Sequence, residues 1–236
     1  MKWTRAGCAV VCLCGASWAG ADGLVIDKVY HPYVDALERE FEYRLLLPAK
    51  QDGFYVPAQL HRASLGTALG AKVFTELNVI GEKERGAGFA IEAWELETKW
   101  QLTEQGEYLA DFGLLFEYEA MPHGGGQEIK LGFLAEKEWG RWSGAANLHV
   151  INEWGGVGGS ELETAFAAQL RRRGSPLFEP GVEFYAGQGT RGAGPVIQGT
   201  AVTGVRRSLH WEAGVIFALD EASSPSTWRF LVEYEF

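Results

Sequence analysis

The last nine residues alternate strictly between large apolar side chains and side chains that are mostly charged. One set is Trp228, Phe230, Val232, Tyr234 and Phe236, and the other is Arg229, Leu231, Glu233 and Glu235. A two-residue period places these sets on opposite faces of a β-strand. The tail therefore predicts a strand with one apolar face and one largely charged face, and the chain ends on the apolar face.

This tail resembles the C-terminal strand of Gram-negative outer-membrane β-barrels, whose assembly machinery recognises a terminal Phe preceded by alternate apolar residues. The resemblance is to that broad class and assigns no specific family. It implies residence in the cell outer membrane, contact with outer-membrane lipids and recognition by the barrel assembly machinery. The predicted assembly signal is Trp228, Phe230, Val232, Tyr234 and Phe236. A secreted or periplasmic β-sandwich is the alternative, because its strands alternate in the same way.

Residues 1–21 have the pattern of a secretory signal peptide. Lys2 and Arg5 precede an apolar stretch over 6–18, and Ala19-Gly20-Ala21 fits the small-x-small cleavage rule, so we expect cleavage after Ala21. The apolar stretch is too short for a spanning helix. The cysteines, Cys8, Cys12 and Cys14, all lie within it, which predicts a cysteine-free mature chain suited to an oxidising compartment. A lipoprotein anchor at Cys12 or Cys14 is the weaker alternative, because neither has the Leu-x-small approach of such sites.

Two-faced segments of about ten residues recur along the chain, as a transmembrane barrel requires. The predicted strands are 37–47, 59–69, 72–80, 93–102, 107–119, 128–138, 141–151, 161–171, 182–186, 196–205, 209–219 and 228–236. Ten residues at about 3.3 Å each, tilted near 40–45°, rise about 25 Å, the height of the apolar band of such barrels. We therefore predict a transmembrane antiparallel up-and-down β-barrel of about 12 strands over 37–236, with 10–14 possible. Residues 22–36 would form a short periplasmic or lumenal segment.

The connections between these segments alternate between long and short. Long stretches include 48–57, 120–127, 152–160 and 187–194, whereas Gly70 and Gly140 mark tight turns. Outer-membrane barrels place long loops outside the cell and short turns in the periplasm, and an even number of strands returns both termini to the periplasm. Pro180-Gly181 disturbs the ninth segment and predicts a β-bulge there.

Charge and hydropathy exclude two classes of protein. The formal net charge is −10, and cleavage would remove two basic residues and no acidic ones, so the mature chain would be still more acidic. A nucleic-acid partner is therefore not expected. The mean hydropathy is −0.10 and no run approaches the eighteen apolar residues of a membrane-spanning helix, so an inner-membrane helical protein is excluded.

The inward faces are rich in carboxylates and carry fewer cations. The predicted lumen-lining residues are Glu95, Glu97, Lys99, Asp111, Glu117, Lys130, Glu136, Glu138, Glu161, Glu163, Arg171, His210, Glu212 and Arg229. Internal ion pairs that stiffen the barrel would explain most of them individually. The acidic surplus predicts a lumen that favours cations. We expect passage or binding of a small solute, or alternatively a closed structural or adhesive barrel that acts through its external loops.

Catalytic and metal-binding patterns are weak. The chain lacks the His-x-Ser pair of barrel lipases and lipid A deacylases, and His210-x-Glu212 has the reverse order of the acid-x-His pair of barrel proteases. An outer-membrane hydrolase is thus a remote alternative, and we predict no enzyme activity. No histidine has a second ligand at metal-binding spacing. We predict neither a cofactor nor a metal.

Overall fold

The structure, a computed structural model, describes residues 25–51, 56–122, 125–156, 159–221 and 223–236. The predicted signal peptide and its cleavage site lie outside these residues. The strands are β1 (Arg39–Pro48), β2 (Gln59–Ala68), β3 (Val73–Lys83), β4 (Phe89–Gln101), β5 (Asp111–Met121), β6 (Gly126–Trp139), β7 (Trp142–Gly156), β8 (Gly159–Arg172), β9 (Glu179–Gly187), β10 (Thr190–Gly204), β11 (Arg207–Ala218) and β12 (Ser226–Glu235). The described residues contain no helix long and apolar enough to cross a membrane.

Each strand pairs antiparallel with its neighbours in sequence, and β1 pairs with β12 to close the barrel. The closing seam runs from Glu40 opposite Glu235 to Pro48 opposite Thr227. Closure leaves no free sheet edge. The predicted all-β fold and the number of twelve strands are confirmed. We call the end of the barrel where β1 begins and β12 finishes the terminal end, and the other end the far end.

The two faces of the wall differ as the alternation predicts. Outward side chains form an exposed apolar surface that includes Leu96, Phe116, Leu131, Leu148 and Trp228. Inward side chains are buried and mostly polar, so the interior of the barrel differs from the apolar core of a water-soluble protein. An apolar surface of this extent on a folded protein marks contact with an apolar environment.

Several predicted connections are wrong. Stretches 120–127, 152–160 and 187–194 were expected to be loops, yet β5 extends to Met121, β7 to Gly156 and β9 to Gly187. At the terminal end, β4 and β5 are joined by the long connection 102–110, because β5 begins at Asp111 rather than at 107. Long connections are therefore not confined to one end. Backbone pairing needs no apolar residues, so strands can continue through polar and glycine-rich sequence.

The bulge predicted at Pro180-Gly181 is also wrong. Pairing of β9 with β10 runs without a shift through Pro180, which lies opposite Ile197. Pairing of β9 with β8 ends at Gly181, so Pro180 has no partner on β8. The missing N–H of the proline therefore removes no hydrogen bond between these two strands. The register shifts occur instead at Ile80/Gly81, between Glu153 and Gly156, and between Val202 and Gly204.

Candidate functional site

The lumen is the candidate site, and its wall carries the predicted charged residues. Buried members are Glu95, Glu97, Asp111, Glu117, Glu136, Glu212 and Arg229. Half-buried members are Lys99, Lys130, Glu161, Glu163, Arg171 and His210. Glu138 instead lies exposed near the terminal end of β6, where Arg173 donates to it.

Ion pairs engage many of these side chains. Arg229 is 1% exposed, and its guanidinium donates to both Glu183 and Glu212. Arg62 donates to Glu95 at 2.8 Å, and Lys130 donates to Glu117. A buried charge is tolerated when it is paired and hydrogen-bonded, so these contacts stabilise the polar interior.

Glu136 has a similar environment. Ser143 donates to one of its oxygens, Arg171 lies 3.5 Å from the same oxygen, and His31 Nδ1 lies 2.7 Å from the other. Ser143 is not among the predicted lumen-lining residues. Its inward position follows from strand parity, but its partner Glu136 lies on another strand and cannot be found from spacing.

Residues 25–34 cross the lumen, and we call them the lumenal segment. Tyr30 is bonded through its backbone to the buried side chain of Asn147 on β7. Its N–H donates to Asn147 Oδ1 at 2.7 Å, and its carbonyl accepts from Nδ2 at 2.9 Å. Farther along, the N–H of Val34 donates to Gln101 Oε1 at 2.8 Å. Amide side chains of the wall thus replace a neighbouring strand as partners for this extended backbone.

Side chains of the lumenal segment contact strands around most of the wall. The hydroxyls of Tyr30 and Tyr33 donate to Glu97 and Asp111, each at 2.8 Å, and Lys28 donates to Glu42 at 2.9 Å. Ile26 and Val29 pack in an apolar cluster with Ala145, Ala167, Tyr185, Val196 and Ile216. The segment is therefore fixed by both polar and apolar contacts.

Asp27 lies between two arginines of the wall. Its Oδ2 is 2.6 Å from Arg44 Nη1 and 3.8 Å from Arg62 Nη1. Burial by itself would raise the pKa of Asp27, but attraction to Arg44, Arg62 and Lys130 outweighs burial and holds that pKa below its ordinary value. The carboxylate therefore stays charged at neutral pH and ties the segment to β1 and β2.

Small inward residues make room for the lumenal segment. A Cβ on Gly113 would lie 3.0 Å from Pro32 Cβ, and a Cβ on Gly187 would lie 2.6 Å from Val25 Cγ2. At these two positions the absence of a side chain accommodates the chain's own N-terminal segment.

Two cavities lie on either side of this segment. The larger, at the far end, has a volume of about 540 Å³, and the smaller, at the terminal end, has a volume of about 210 Å³. Lys28 and Tyr30 line both cavities. The lumenal segment is therefore the partition between them.

Five glutamates form a row across five neighbouring strands on the wall of the lumen. Four of these glutamates line the larger cavity. Direct cross-strand pairing places Glu95 opposite Glu119, Glu119 opposite Glu128, Glu128 opposite Glu153, and Glu153 opposite Glu161. Within the described part of the chain, Glu119, Glu153 and Glu161 have no ion pair, whereas Glu95 is paired with Arg62. Like charges directly opposite each other destabilise a sheet, so this row is unfavourable for the stability of the wall.

His210 occupies a hydrogen-bonded chain near the terminal end. Its Nδ1 lies 3.0 Å from Thr200 Oγ1 and its Nε2 lies 3.0 Å from Glu212 Oε1. A hydroxyl, an imidazole and a carboxylate in this order are also the groups of a hydrolase triad. Here the carboxylate is bonded to Arg229 as well, which connects the chain to the ion-pair network.

Comparisons with known proteins support the fold. No family model matches the sequence, and no curated protein matches it. A solved outer-membrane channel from Pseudomonas putida F1 is similar over 93% of this chain and 99% of its own, with a TM-score of 0.54 and 11% identity. A loop L8 deletion mutant of OmpT, an outer-membrane protein of Vibrio cholerae, aligns over 85% of this chain and 98% of its own at a TM-score of 0.29 and 9% identity. The fold is that of an outer-membrane β-barrel.

Proposed function

We propose that the protein is an outer-membrane channel that admits small cationic solutes and is closed, in this conformation, by its own lumenal segment. The observation that carries the proposal is the position of that segment between two lumenal cavities. Lys28 and Tyr30 of the segment line both cavities, so its displacement would join the two spaces. The similar fold of the Pseudomonas putida outer-membrane channel supports the assignment to this class.

The location and orientation belong to the same proposal. The exposed apolar surface suits outer-membrane lipids, and the tail from Trp228 to Phe236 suits the barrel assembly machinery, with Trp228, Phe230, Val232 and Phe236 exposed on the outward face. The terminal end then faces the periplasm and the far end faces the exterior. The larger cavity would be the external entrance.

Charge supports cations as the solutes. Eight carboxylates line the larger cavity, against the three basic side chains of Lys28, Arg62 and Lys130. The carboxylates are those of Asp27, Glu82, Glu92, Glu119, Glu128, Glu153, Glu161 and Glu163. Within low-dielectric walls their summed field raises the local concentration of cations and repels anions. Apolar side chains of Leu46, Leu60 and Ile80 line the same cavity, so an organic cation would find both kinds of contact.

The test is ion selectivity in planar lipid bilayers. We expect the purified protein to show cation preference as a reversal potential in a KCl gradient. Changing Glu119, Glu153 and Glu161 together to Gln should reduce that preference, because these members of the row have no ion pair to lose. A control with the same change of charge replaces three exposed carboxylates of the connections, Glu104, Glu107 and Glu221, with Gln. Glu104 is paired with Lys72, so Glu104→Gln alone shows what the loss of that pair contributes.

Two results would contradict the proposal. One is an equal loss of selectivity in the control and in the glutamate-row variant. The other is a bilayer that stays silent under every condition, including those that release the lumenal segment. A permanently silent barrel would favour the second candidate, a closed structural or adhesive protein, for which the many contacts of the lumenal segment are the supporting observation.

A further inference from the structure

Three carboxylates converge where the barrel closes at its terminal end. Glu38 immediately precedes β1, Glu40 lies on β1 and Glu233 lies on β12. One carboxylate oxygen from each lies within 4.8 Å of those of the other two. All three line the smaller cavity.

The Glu40 side chain is largely buried, and its carboxylate has no partner in the part of the chain that the structure describes. Its residue is 5% exposed. Among the described residues, no group donates a hydrogen bond to it, and no lysine, arginine or histidine lies within ion-pairing distance. The nearby cations bond elsewhere: Lys28 pairs with Glu42 at 2.9 Å, and His210 pairs with Glu212 at 3.0 Å.

Strand register increases the repulsion at this seam. Glu40 lies directly opposite Glu235, and Glu42 lies directly opposite Glu233. Like charges in opposite positions destabilise a strand pair, and a buried carboxylate without a counter-charge is costly. A positive ligand at the convergence point would remove both penalties.

We propose that Glu38, Glu40 and Glu233 bind one Ca²⁺ ion at the terminal end of the lumen. Ca²⁺ takes carboxylate oxygens at about 2.3–2.6 Å, so oxygens within 4.8 Å of one another can all reach a single ion. The smaller cavity leaves space for waters that complete its six to eight ligands. The ion would join the residue that leads into β1 to both strands of the closing seam.

Equilibrium dialysis of the purified full-length protein in detergent micelles against radioactive Ca²⁺ tests the site. We expect one ion per chain. Changing Glu40 to Gln, or Glu233 to Gln, should lower the affinity about tenfold or more, since even the groups that support metal ligands contribute that much. Glu107→Gln is the matched control, because Glu107 is exposed on a connection at the same end; it should bind Ca²⁺ like the wild type.

Thermal unfolding gives a second measurement. Ca²⁺ should raise the unfolding temperature of the wild type and of Glu107→Gln, but not that of Glu40→Gln. Unchanged Ca²⁺ binding in both cluster variants would place the ion elsewhere and overturn the proposal. Absence of Ca²⁺ binding to the wild type would also overturn the proposal. If Glu40→Gln then raised the unfolding temperature without Ca²⁺, a proton shared by the three carboxylates would be the group that offsets their repulsion. Neither measurement needs an open lumen, so the site can fail while the channel proposal stands.

Discussion

Asn147→Ala should release the lumenal segment while the barrel wall stays intact. The side chain of Asn147 is fully buried and makes two hydrogen bonds, to the N–H and the carbonyl of Tyr30. The substitution removes both bonds and leaves two buried backbone groups without partners. Each stranded group costs about 1–3 kcal/mol, which water entering the vacated space would partly offset. We therefore expect docking of the segment to weaken by about 2–4 kcal/mol.

That free energy corresponds to a shift of roughly 30- to 700-fold in the equilibrium between docked and released segment, since 1.4 kcal/mol is a factor of ten. Hydrogen–deuterium exchange of the purified protein in micelles, read by mass spectrometry of peptides, measures it directly. Peptides that cover residues 25–34 should lose protection by that factor, and peptides from β7 and β8 should keep theirs.

Asn152→Ala is the matched control. Asn152 lies on the same strand, but on the outward face, where its side-chain oxygen accepts only a long 3.5 Å bond from Ser160. Exchange of residues 25–34 should be unchanged in this variant. Unchanged exchange in Asn147→Ala as well would refute the argument that the amide holds the segment in the lumen.

Three further predictions concern the ion pairs of Arg229, the charge of Asp27 and the C-terminal tail. Arg229→Ala should lower the free energy of unfolding by about 3–5 kcal/mol, measured by urea titration in micelles, because two buried carboxylates lose their partner. Arg229→Lys keeps the charge and should lower the free energy of unfolding by less. Equal losses in the two variants would argue against the pairing. Because the pKa of Asp27 is depressed, its attraction to Arg44 and Arg62 is complete above the ordinary pKa of 3.8 and fades as the pH falls further. Protection of residues 25–34 from hydrogen exchange should therefore drop in acid. Asp27→Asn should lower that protection at neutral pH and make it depend less on acid. Changing Tyr234 and Phe236 together to Asp should block outer-membrane assembly, measured by membrane fractionation, because the tail resembles the assembly signal and charge is costly on the lipid face; normal amounts of assembled barrel would contradict this.

The wall of the barrel was predictable because alternation is a local property. Strands such as β4 and β12 show two faces within ten residues, so both their existence and their inward side chains follow from parity. Strand ends were less predictable. Polar and glycine-rich sequence such as 152–156 was assigned to a loop, although backbone pairing carries β7 to Gly156.

The contents of the lumen were not predictable in the same way. Residues 22–36 were left as either periplasmic or lumenal, because many of the contacts that position them join residues far apart in the sequence, such as Tyr30 and Asn147. The glutamate row was equally hidden, because it depends on the relative register of five strands. Four of the glutamates occupy inward positions that parity predicts, whereas Glu153 lies in the stretch that was assigned to a loop. Only the strand pairing places all five side by side.

Single-channel recording of a variant that lacks residues 25–34 tests the central claim most directly. The wild type should be closed for most of the recording time, whereas the deletion variant should show discrete, long-lived openings with cation preference. Heat-modifiable migration in gel electrophoresis would first establish that the shortened barrel is folded. A folded deletion variant that conducts no more than the wild type, or that prefers anions, would contradict the account of a cation channel closed by its own N-terminal segment.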